Sequence, residues 1–343
     1  MKLWFERGAW ASKKGHQTVT QLNNQNIQKI AVIRHAALGD MVITRPFLIA
    51  LREVFPKAEI TLSLVSNYQY GAPIDLVDHV YITLGSDKRD AKLRDKLQSI
   101  TSLGRQDIIF DLASTPRSQW VLALNKTMLK VGFPYRSYQR HLFYDIAIQR
   151  SDFKFEAETL FDMLHIFGQR IDHNLNYAMK KWELSNNHQY IVYFPSASTP
   201  DKCWPDEYFS NLIRKMAKKH PNIQHIVLQG VSEHEDISGI IQPLQDIPNV
   251  EGKMPMSLAD TEDFLIDSLM LVSNDTGIRN LAIAMQVPTL GIFYSTIPFR
   301  YWPNNDRHEV VYEMNGDIPS VDNVYTACDV HAEHCIHKLN NNE

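Results

Sequence analysis

The chain has 343 residues, of which 44% are hydrophobic and 22% are charged, and its formal net charge is −4. This composition is that of an ordinary soluble globular protein, and the length predicts two domains. No apolar run approaches the length needed to span a bilayer, and the first residues lack a secretory signal, so we expect a cytoplasmic protein. Cys203, Cys328 and Cys335 form no disulfide framework and fit a reducing compartment.

The charges are divided unevenly along the chain. Residues 1–170 contain 23 Lys and Arg against 16 Asp and Glu, a balance of +7. Residues 171–343 contain 12 Lys and Arg against 23 Asp and Glu, a balance of −11. This asymmetry predicts that the first half meets an anionic partner, such as phospholipid head groups, a phosphorylated glycolipid or nucleic acid. Ordinary solvated surfaces are the alternative explanation.

Residues 1–26 are polar after a short aromatic segment and carry a net charge of +3. We expect an extension that forms a frayed tail, with an interfacial anchor as the alternative. From residue 27 to residue 170, apolar strands alternate with helices, which predicts a parallel sheet. The predicted strands lie at 29–34, 59–65, 79–84, 107–112 and 130–133, and the predicted helices at 42–55, 88–103, 116–124 and 156–167.

Two features of this first domain suggest a binding surface. Asp40 follows the first strand, at the sheet edge where ligands bind in such folds, although a carboxylate there also caps helices. Residues 134–150 are predicted to be irregular, and they mix Arg136 and Arg140 with tyrosines. That mixture suits carbohydrate and phosphate contact, and it equally suits a solvated loop.

A second α/β unit follows a polar linker at 171–188. This second domain is expected to span residues 189–317. The predicted strands lie at 190–194, 224–229, 270–273 and 289–293, and the predicted helices at 205–220, 233–241, 258–268 and 318–327.

The turn Asn274-Asp275-Thr276-Gly277 joins a strand to a helix in this second domain. A helix that begins here presents unpaired N–H groups and the positive end of its dipole, which together suit a phosphate. Gly277 would let a ligand approach the backbone closely. The pattern therefore indicates a site for a nucleotide diphosphate, and an ordinary helix cap is the alternative.

Four loops follow strands or precede helices and should meet at one sheet edge: Arg34-x-x-x-x-Gly39-Asp40, residues 195–205, residues 230–233, and Met256 with residues 274–277. In order and spacing, from about residue 29 to 303, they resemble the ADP-heptose:lipopolysaccharide heptosyltransferases, glycosyltransferase family nine. The resemblance implies the α/β fold called GT-B, with two Rossmann-like domains facing across a cleft. The first would take the acceptor and the second the nucleotide sugar, with residues from about 318 to 343 packing back on the first.

The resemblance also implies an inverting displacement with two catalytic residues. Asp40 matches the base that takes the proton of the acceptor hydroxyl. Lys202 matches the lysine that neutralises the leaving diphosphate. The other implied donor contacts are Ser196, Ser198, Thr199, Glu233 on the ribose, Met256 on adenine, Asp275, Thr276, Gly277 and Asn280. The implied acceptor contacts are Arg34, Gly39, Arg117, Arg136 and Arg140.

Three of these side chains also have a purely structural explanation. Glu233 fits the first turn of a helix, Lys202 could be a surface lysine and Met256 a core residue. The chain also departs from its relatives at two places. It has Asn280 where the family usually has His, and Tyr294-Ser-Thr-Ile-Pro298 where the family tends to Gly-Pro-Thr-Asp-Pro. Because Asn cannot become cationic, the phosphate environment is less positive here.

The implied partners are an ADP-sugar, a lipid A–Kdo core glycolipid and the cytoplasmic face of the inner membrane, with which the protein would associate peripherally. No nucleic acid is expected. No cofactor is required, and Mg²⁺ is compatible with the site. Three alternatives remain: a family member with another nucleotide sugar, a GT-B epimerase, and a non-catalytic paralogue that binds ADP-sugar or core glycolipid.

The C-terminal tail carries Cys328, His331, His334, Cys335 and His337. Their spacing loosely resembles a zinc site. Because the segment is terminal and polar and no second pair lies in register, we predict a loose or helical tail without metal.

Overall fold

The computed structural model describes residues 9–133, 137–168, 175–183 and 189–341. For Ser137, Arg140, Glu233 and residues 339–341, it describes the backbone alone. The chain divides into two compact units, Met1–Ala178 and Met179–Glu343, here called the first and second units. The division falls inside the polar stretch at 171–188. Within the described residues, no helix combines the length and apolar character that crossing a bilayer requires.

The first unit contains a sheet that is parallel except at one edge. Its strands are β1 (Trp10–Ala11), β2 (Lys29–Ile33), β3 (Glu59–Val65), β4 (His79–Thr83), β5 (Gln106–Asp111), β6 (Thr127–Gly132) and β7 (Ile146–Ala147). Their order is β1-β7-β6-β5-β2-β3-β4, and β1 runs antiparallel to β7. The chain moves from β2 towards β3 and β4, and later from β5 towards β6 and β7. The direction therefore reverses between β2 and β5, and loops at such a point form a crevice for ligands.

Helices cover both faces of this sheet. They are α1 (Lys13–Gln21), α2 (Leu38–Val54), α3 (Leu93–Thr101), α4 (Pro116–Leu124), α5 (Ser137–Phe143) and α6 (Glu156–His165). Parallel crossovers are right-handed, so α2 lies on one face and α3 and α4 lie on the other. The middle strand β2 is buried from Ile30 to Ile33, which explains its continuous apolar sequence. Ala31 and Ile33 pack with Val121 and Leu122 of α4.

The second unit contains an all-parallel sheet in the order β10-β9-β8-β11-β12-β13. Its strands are β8 (Tyr190–Phe194), β9 (Gln224–Leu228), β10 (Val250–Lys253), β11 (Met270–Asn274), β12 (Thr289–Ile292) and β13 (His308–Val311). Its helices are α7 (Asp206–Lys219), α8 (Ser238–Ile241), α9 (Leu258–Ile266), α10 (Gly277–Ala284) and α11 (Val321–Asn341). The direction of the chain reverses between β8 and β11, so the loops after these two strands flank a second crevice of the kind where α/β sheets bind ligands.

The N-terminal segment differs from the expected frayed tail. Strand β1 pairs with β7, and Ser12 caps α1 by accepting a hydrogen bond of 2.8 Å from the N–H of Gly15. A Cβ atom at Gly15 would collide with the carbonyl oxygen of Asp145, so the absence of a side chain lets α1 lie against the sheet. Residues 10–26 are therefore part of the first unit, because they cover the sheet next to β6 and β7.

Two other expectations are corrected. Residues 134–150 are not wholly irregular, because α5 and β7 lie within them. The C-terminal segment, which was expected to belong with the first domain, is part of the second unit, since Val324, Cys328, Ala332 and Cys335 of α11 join the second unit's core. The apolar stripe of α11 continues beyond the predicted end at 327 as far as Cys335, which explains the longer helix.

Candidate functional site

Asn274 joins the two loops at the reversal point of the second unit. This residue ends β11 and is fully buried. Its side-chain oxygen accepts a hydrogen bond of 3.1 Å from the N–H of Trp204, and its amide nitrogen donates to the carbonyl oxygen of Pro195. The loop after β8, which contains Lys202, is thereby fixed against the turn that begins α10. The sequence motifs at 195–205 and 274–277 are adjacent in space.

Lys202 and Asp275 form an ion pair at this junction. The Lys202 Nζ lies 3.2 Å from Oδ2 of Asp275, and the hydroxyl of Thr296 donates to the same oxygen at 2.8 Å. The Asp275 side chain is 10% exposed and that of Lys202 is 25% exposed. Asp275 thus orients the ammonium group while leaving part of it accessible to solvent. This arrangement suits a cation that meets an anionic ligand at the rim of the loops.

Helix α10 begins beside this ion pair. Thr276 precedes its first turn in an extended conformation, and its side chain makes no capping hydrogen bond. Thr276 and Gly277 are partly exposed, while Asn280 is 5% exposed one turn further along. The N–H groups of the first turn and the helix dipole therefore face the same region as Lys202, and together they suit a phosphate.

Arg279 is a charged residue of this region that the sequence analysis missed. It is fully buried in α10, lies over the ring of Phe293 at 5.1 Å, and donates through Nη1 to the carbonyl oxygen of Tyr301 at 2.6 Å. Among the described groups, its Nε and Nη2 atoms have no hydrogen-bond partner. Burial lowers the pKa of Arg279 to about 10, while the charge of Asp275 opposes this shift. Its spacing of four residues from Asp275, one helical turn, was the available signal.

The other predicted donor contacts lie on the expected loops. Ser196 is buried, whereas Ser198 and Thr199 are exposed. Met256 is half-buried between β10 and α9 and is not part of the buried core. Glu233 lies in a short 3₁₀ helix at Glu233–Glu235, and its side chain is outside the described residues. The structure therefore assigns positions to these residues, and their contacts with a nucleotide stay predictions.

In the first unit, Arg34 and Asp40 form the corresponding pair. Asp40 lies in the first turn of α2, and its side chain is 32% exposed. The buried Arg34 donates from Nη2 to Oδ1 of Asp40 at 2.9 Å and from Nη1 to the carbonyl oxygen of Leu112 at 2.8 Å. The Oδ2 atom of Asp40 has no hydrogen-bond partner among the described residues. One carboxylate oxygen is held and the other remains available to accept a proton.

A second carboxylate extends this pair into the core. Glu156 is fully buried, and its Oε1 lies 3.9 Å from Nη2 of Arg34 and also contacts Nη2 of Arg150. The Nε of Arg150 donates to Oε2 of Glu156 at 3.3 Å. The charges alternate along the series Asp40, Arg34, Glu156 and Arg150, so each buried guanidinium faces a carboxylate. The sequence analysis missed Arg150 and Glu156.

His35 and Arg117 lie near the same sheet edge. Burial and the charge of Arg117 lower the pKa of His35 to about 3, so this imidazole is neutral at neutral pH. Arg117 is half-buried in the first turn of α4, where Thr115 and Ser118 form a capping box. Arg117 therefore lies at the sheet edge that carries His35, and its contact with an acceptor stays a prediction.

The remaining acceptor predictions have mixed outcomes. Gly39 is buried in the first turn of α2. Arg136 lies outside the described residues, and so does the side chain of Arg140. Their contacts stay predictions.

The Cys/His-rich tail forms part of helix α11. Burial raises the pKa of the Cys335 thiol to about 12 and also raises that of Cys328, while burial lowers the pKa of His331 to about 4. Among the described side chains, no group of three or more potential ligands is placed to hold a metal ion. Cys328 and Cys335 are packing residues of the second unit's core.

Two doubly wound sheets, with the uncapped N-terminus of α10 and Lys202 at the reversal point of the second, define a Rossmann-like α/β protein. The sequence profile of glycosyltransferase family 9 (heptosyltransferase) matches residues 97–328. The chain belongs to this family and is a glycosyltransferase, as predicted from the order of its motifs.

Known relatives agree with this assignment at low identity. Lipopolysaccharide heptosyltransferase 3 of Escherichia coli (strain K12) is 23% identical over 296 residues, which cover 78% of this chain and 83% of that protein. The E. coli heptosyltransferase WaaC with ADP has a TM-score of 0.69 at 17% identity, covering 89% of this chain and 100% of that structure. E. coli ADP-heptose lps heptosyltransferase II has a TM-score of 0.66 at 16% identity, covering 90% and 99%. The predicted GT-B fold is confirmed.

Proposed function

We propose that this protein transfers heptose from ADP-heptose to the inner core of lipopolysaccharide, with inversion at the anomeric carbon. The observation that carries the proposal is the Lys202–Asp275 pair beside the open N-terminus of α10, in a member of a heptosyltransferase family. The named relatives are lipopolysaccharide heptosyltransferases, and one solved relative binds ADP-2-deoxy-2-fluoro heptose.

In the proposed reaction, Asp40 is the general base. Its Oδ2 takes the proton of an acceptor hydroxyl as the hydroxyl oxygen bonds to the anomeric carbon of the donor. The bond between that carbon and the phosphate oxygen breaks, and ADP leaves with the bonding electrons. Arg34 orients Asp40 through Oδ1, at a distance of 2.9 Å. A single displacement of this kind inverts the anomeric configuration and needs no protein nucleophile.

Lys202 and α10 stabilise the leaving diphosphate in this proposal. Negative charge grows on ADP as the bond breaks, so a cation and aligned N–H groups stabilise the transition state more than the ground state. Asp275 holds Lys202 in place, with Ser196, Ser198, Thr199, Thr276 and Gly277 on the phosphates, Glu233 on the ribose and Met256 on adenine. Because protein groups supply the positive charge, we propose that no cofactor is needed, and transfer in the presence of a chelator tests this.

The acceptor in this proposal is the lipid A–Kdo core, presented at the cytoplasmic face of the inner membrane. Arg117, Arg136 and Arg140 would meet its anionic groups, because the first half of the chain carries the +7 balance. The protein would then be cytoplasmic and peripherally associated with that membrane.

The test combines a transfer assay with a binding assay. Wild-type protein, ADP-heptose and a heptose-deficient core acceptor should give a product heavier by one heptose, detected by mass spectrometry. Asp40→Asn should lower turnover by about 10³-fold while ADP affinity, measured by calorimetry, stays unchanged. Undiminished turnover in Asp40→Asn would contradict the assignment of the base.

A family member that uses another nucleotide sugar is the second candidate. It is favoured by Asn280, which replaces the family's usual His and is buried one turn into α10. A thermal-shift screen of nucleotide diphosphates and nucleotide sugars separates the candidates, since a ligand that binds the native state raises its apparent stability. Stabilisation by UDP or GDP compounds, and not by ADP compounds, would favour this second candidate.

A further inference from the structure

The helices α3, α4 and α5 expose large apolar side chains to solvent. Leu93 is 82% exposed, Leu142 70%, Trp120 57% and Leu97 55%, and Leu124 is also exposed. Helix α3 has no buried residue, so its apolar side chains contribute little to the core. We call the surface formed by these five residues the α3–α5 face. Single exposed leucines are ordinary, whereas a group of them on neighbouring helices marks an interaction surface.

The α3–α5 face is one layer of the first unit. Helix α3 packs beside α4, and α4 packs beside α5. The side chain of Asn125 donates to the carbonyl oxygen of Ile100 at 2.7 Å and ties the C-terminal ends of α3 and α4 together. Leu93 and Leu97 are four residues apart on α3, as are Trp120 and Leu124 on α4, so each pair lies along one side of its helix.

Cationic side chains outnumber acidic ones in the segment that carries most of these apolar residues. Residues 86–126 contain eight Lys and Arg against five Asp. Asp111 is fully buried, and Asp107 accepts hydrogen bonds from the backbone N–H groups of residues 28 and 29. The exposed Lys92 and Arg94 adjoin Leu93. Exposed leucines and a tryptophan beside Lys and Arg are the combination found where proteins lie on anionic membranes.

The α3–α5 face lies beside the sheet edge of the first unit at which Asp40 is found. The strands β2, β4 and β5 are parallel, so the helices that follow them, α2, α3 and α4, begin at the same sheet edge. Arg117 at the start of α4 lies close enough to His35 to lower its pKa, and His35 is five residues before Asp40. The face therefore borders the edge that carries the proposed base.

We propose that the α3–α5 face lies on an anionic phospholipid bilayer, with Leu93, Leu97 and Trp120 entering the head-group region and the flanking cations contacting lipid phosphates. The location of the acceptor at that bilayer rests on the proposed function, whereas the binding itself does not. A bilayer fits better than a protein partner because the apolar side chains belong to three separate helices and are bordered by more cations than anions, eight Lys and Arg against the three exposed carboxylates of Asp87, Asp90 and Asp95.

Flotation with lipid vesicles tests the proposal. The full-length protein should float with vesicles of phosphatidylethanolamine and phosphatidylglycerol, less with pure phosphatidylcholine, and less as the salt concentration rises. The double variant Leu93→Glu/Trp120→Glu should lower the bound fraction about ten-fold. The control variant Val231→Glu/Met314→Glu changes two exposed apolar side chains of the second unit and should float like the wild type.

Two further measurements separate the outcomes. Heptose transfer to a deacylated, water-soluble acceptor should be the same for the wild type and the Leu93→Glu/Trp120→Glu variant. Vesicle binding without any heptose transfer would overturn the proposed function and leave the membrane surface supported. Flotation that is equal for the double variant and the wild type overturns the membrane proposal. A second outcome also overturns the membrane proposal. In it, neither protein floats, and sedimentation velocity shows a dimer for the wild type but not for the double variant.

Discussion

The guanidinium group of Arg34 contacts a carboxylate on each side: Oδ1 of Asp40 at 2.9 Å and Oε1 of Glu156 at 3.9 Å. Arg34 is 2% exposed, whereas the Asp40 side chain is about one-third exposed. The buried guanidinium therefore positions a carboxylate that solvent can reach. Because Arg34 precedes Asp40 by six residues, across the β2–α2 loop, the pair also fixes the shape of that loop.

Arg34→Lys should lower turnover by about 10²-fold with little change in donor affinity. A lysine cannot reproduce the planar set of donors that contacts Asp40 and Leu112 together. Steady-state transfer kinetics and calorimetry with ADP measure the two effects. The matched control is Arg52→Lys, since Arg52 pairs with Asp78 at 3.0 Å on the exposed side of the unit and should tolerate the change. Equal losses in both variants would refute the positioning role.

Glu156→Gln should reduce the free energy of unfolding by about 3–5 kcal/mol, because it leaves Arg34 and Arg150 buried without their shared carboxylate. Denaturant unfolding monitored by circular dichroism measures the loss. The comparison variant is Asp162→Asn, which removes a partly exposed partner of Lys154 at 2.9 Å and should cost less than about 1 kcal/mol. A Glu156→Gln protein as stable as Asp162→Asn would show that the buried pairs are replaceable.

Lys202→Met should lower the rate of transfer by about 10²- to 10³-fold, because the leaving diphosphate loses its cation. It should also weaken ADP binding less than it weakens catalysis, since the charge grows in the transition state. Lys215→Met is the control, because Lys215 pairs with Asp322 on the exposed surface of α7 and α11. Parallel losses in affinity and rate would mean that Lys202 only binds the nucleotide.

The second unit should lose stability in mild acid because burial lowers the pKa of three histidines, His225, His308 and His331. Burial lowers the pKa of His225 and of His331 from the ordinary value of 6.5 to about 4. Below pH 6.5 these histidines bind protons in the unfolded chain but not in the folded unit. Their contribution to the free energy of unfolding is therefore fully present above pH 6.5 and is lost as the pH falls towards 4. Each histidine contributes a slope of about 1.4 kcal/mol per pH unit in that window.

Substitution of His225 provides the corresponding measurement. His225→Gln keeps a partner for the hydroxyl of Tyr193, which lies 2.9 Å from Nδ1, and removes the titration. Its unfolding free energy should therefore fall less steeply between pH 6.5 and 4 than that of the wild type. His234→Gln, at an exposed position, should retain the wild-type slope. An unchanged slope in His225→Gln would exclude this histidine as a source of the acid sensitivity.

The central strands of both sheets were predictable from the sequence because they are continuous apolar runs between turn residues. Strand β8 has the predicted bounds, and β2 ends one residue earlier than predicted. The strands β10 and β13 were missed, since Val250–Lys253 and His308–Val311 are short edge strands that include polar residues. Their place in the sheet depends on pairing with β9 and β12, which no local pattern encodes.

The site residues that could be predicted lie on sequence motifs, and those that were missed do not. Asp40, Lys202 and Asp275 lie on motifs of fixed spacing, and the structure brings Lys202 to Asp275 although they are 73 residues apart. Glu156 and Arg279 were missed because their sequences look like ordinary helix positions. Only tertiary packing shows that each is a buried charge beside a predicted site residue.

The packing of α11 in the second unit has a consequence for biosynthesis. Each unit is one unbroken stretch of chain, with a single passage between them after Ala178. Strand β1 finds its neighbour β7 within the same stretch, so every strand of the first sheet in the described chain has left the ribosome before the second sheet is made. The first unit can therefore fold while translation of the second unit continues.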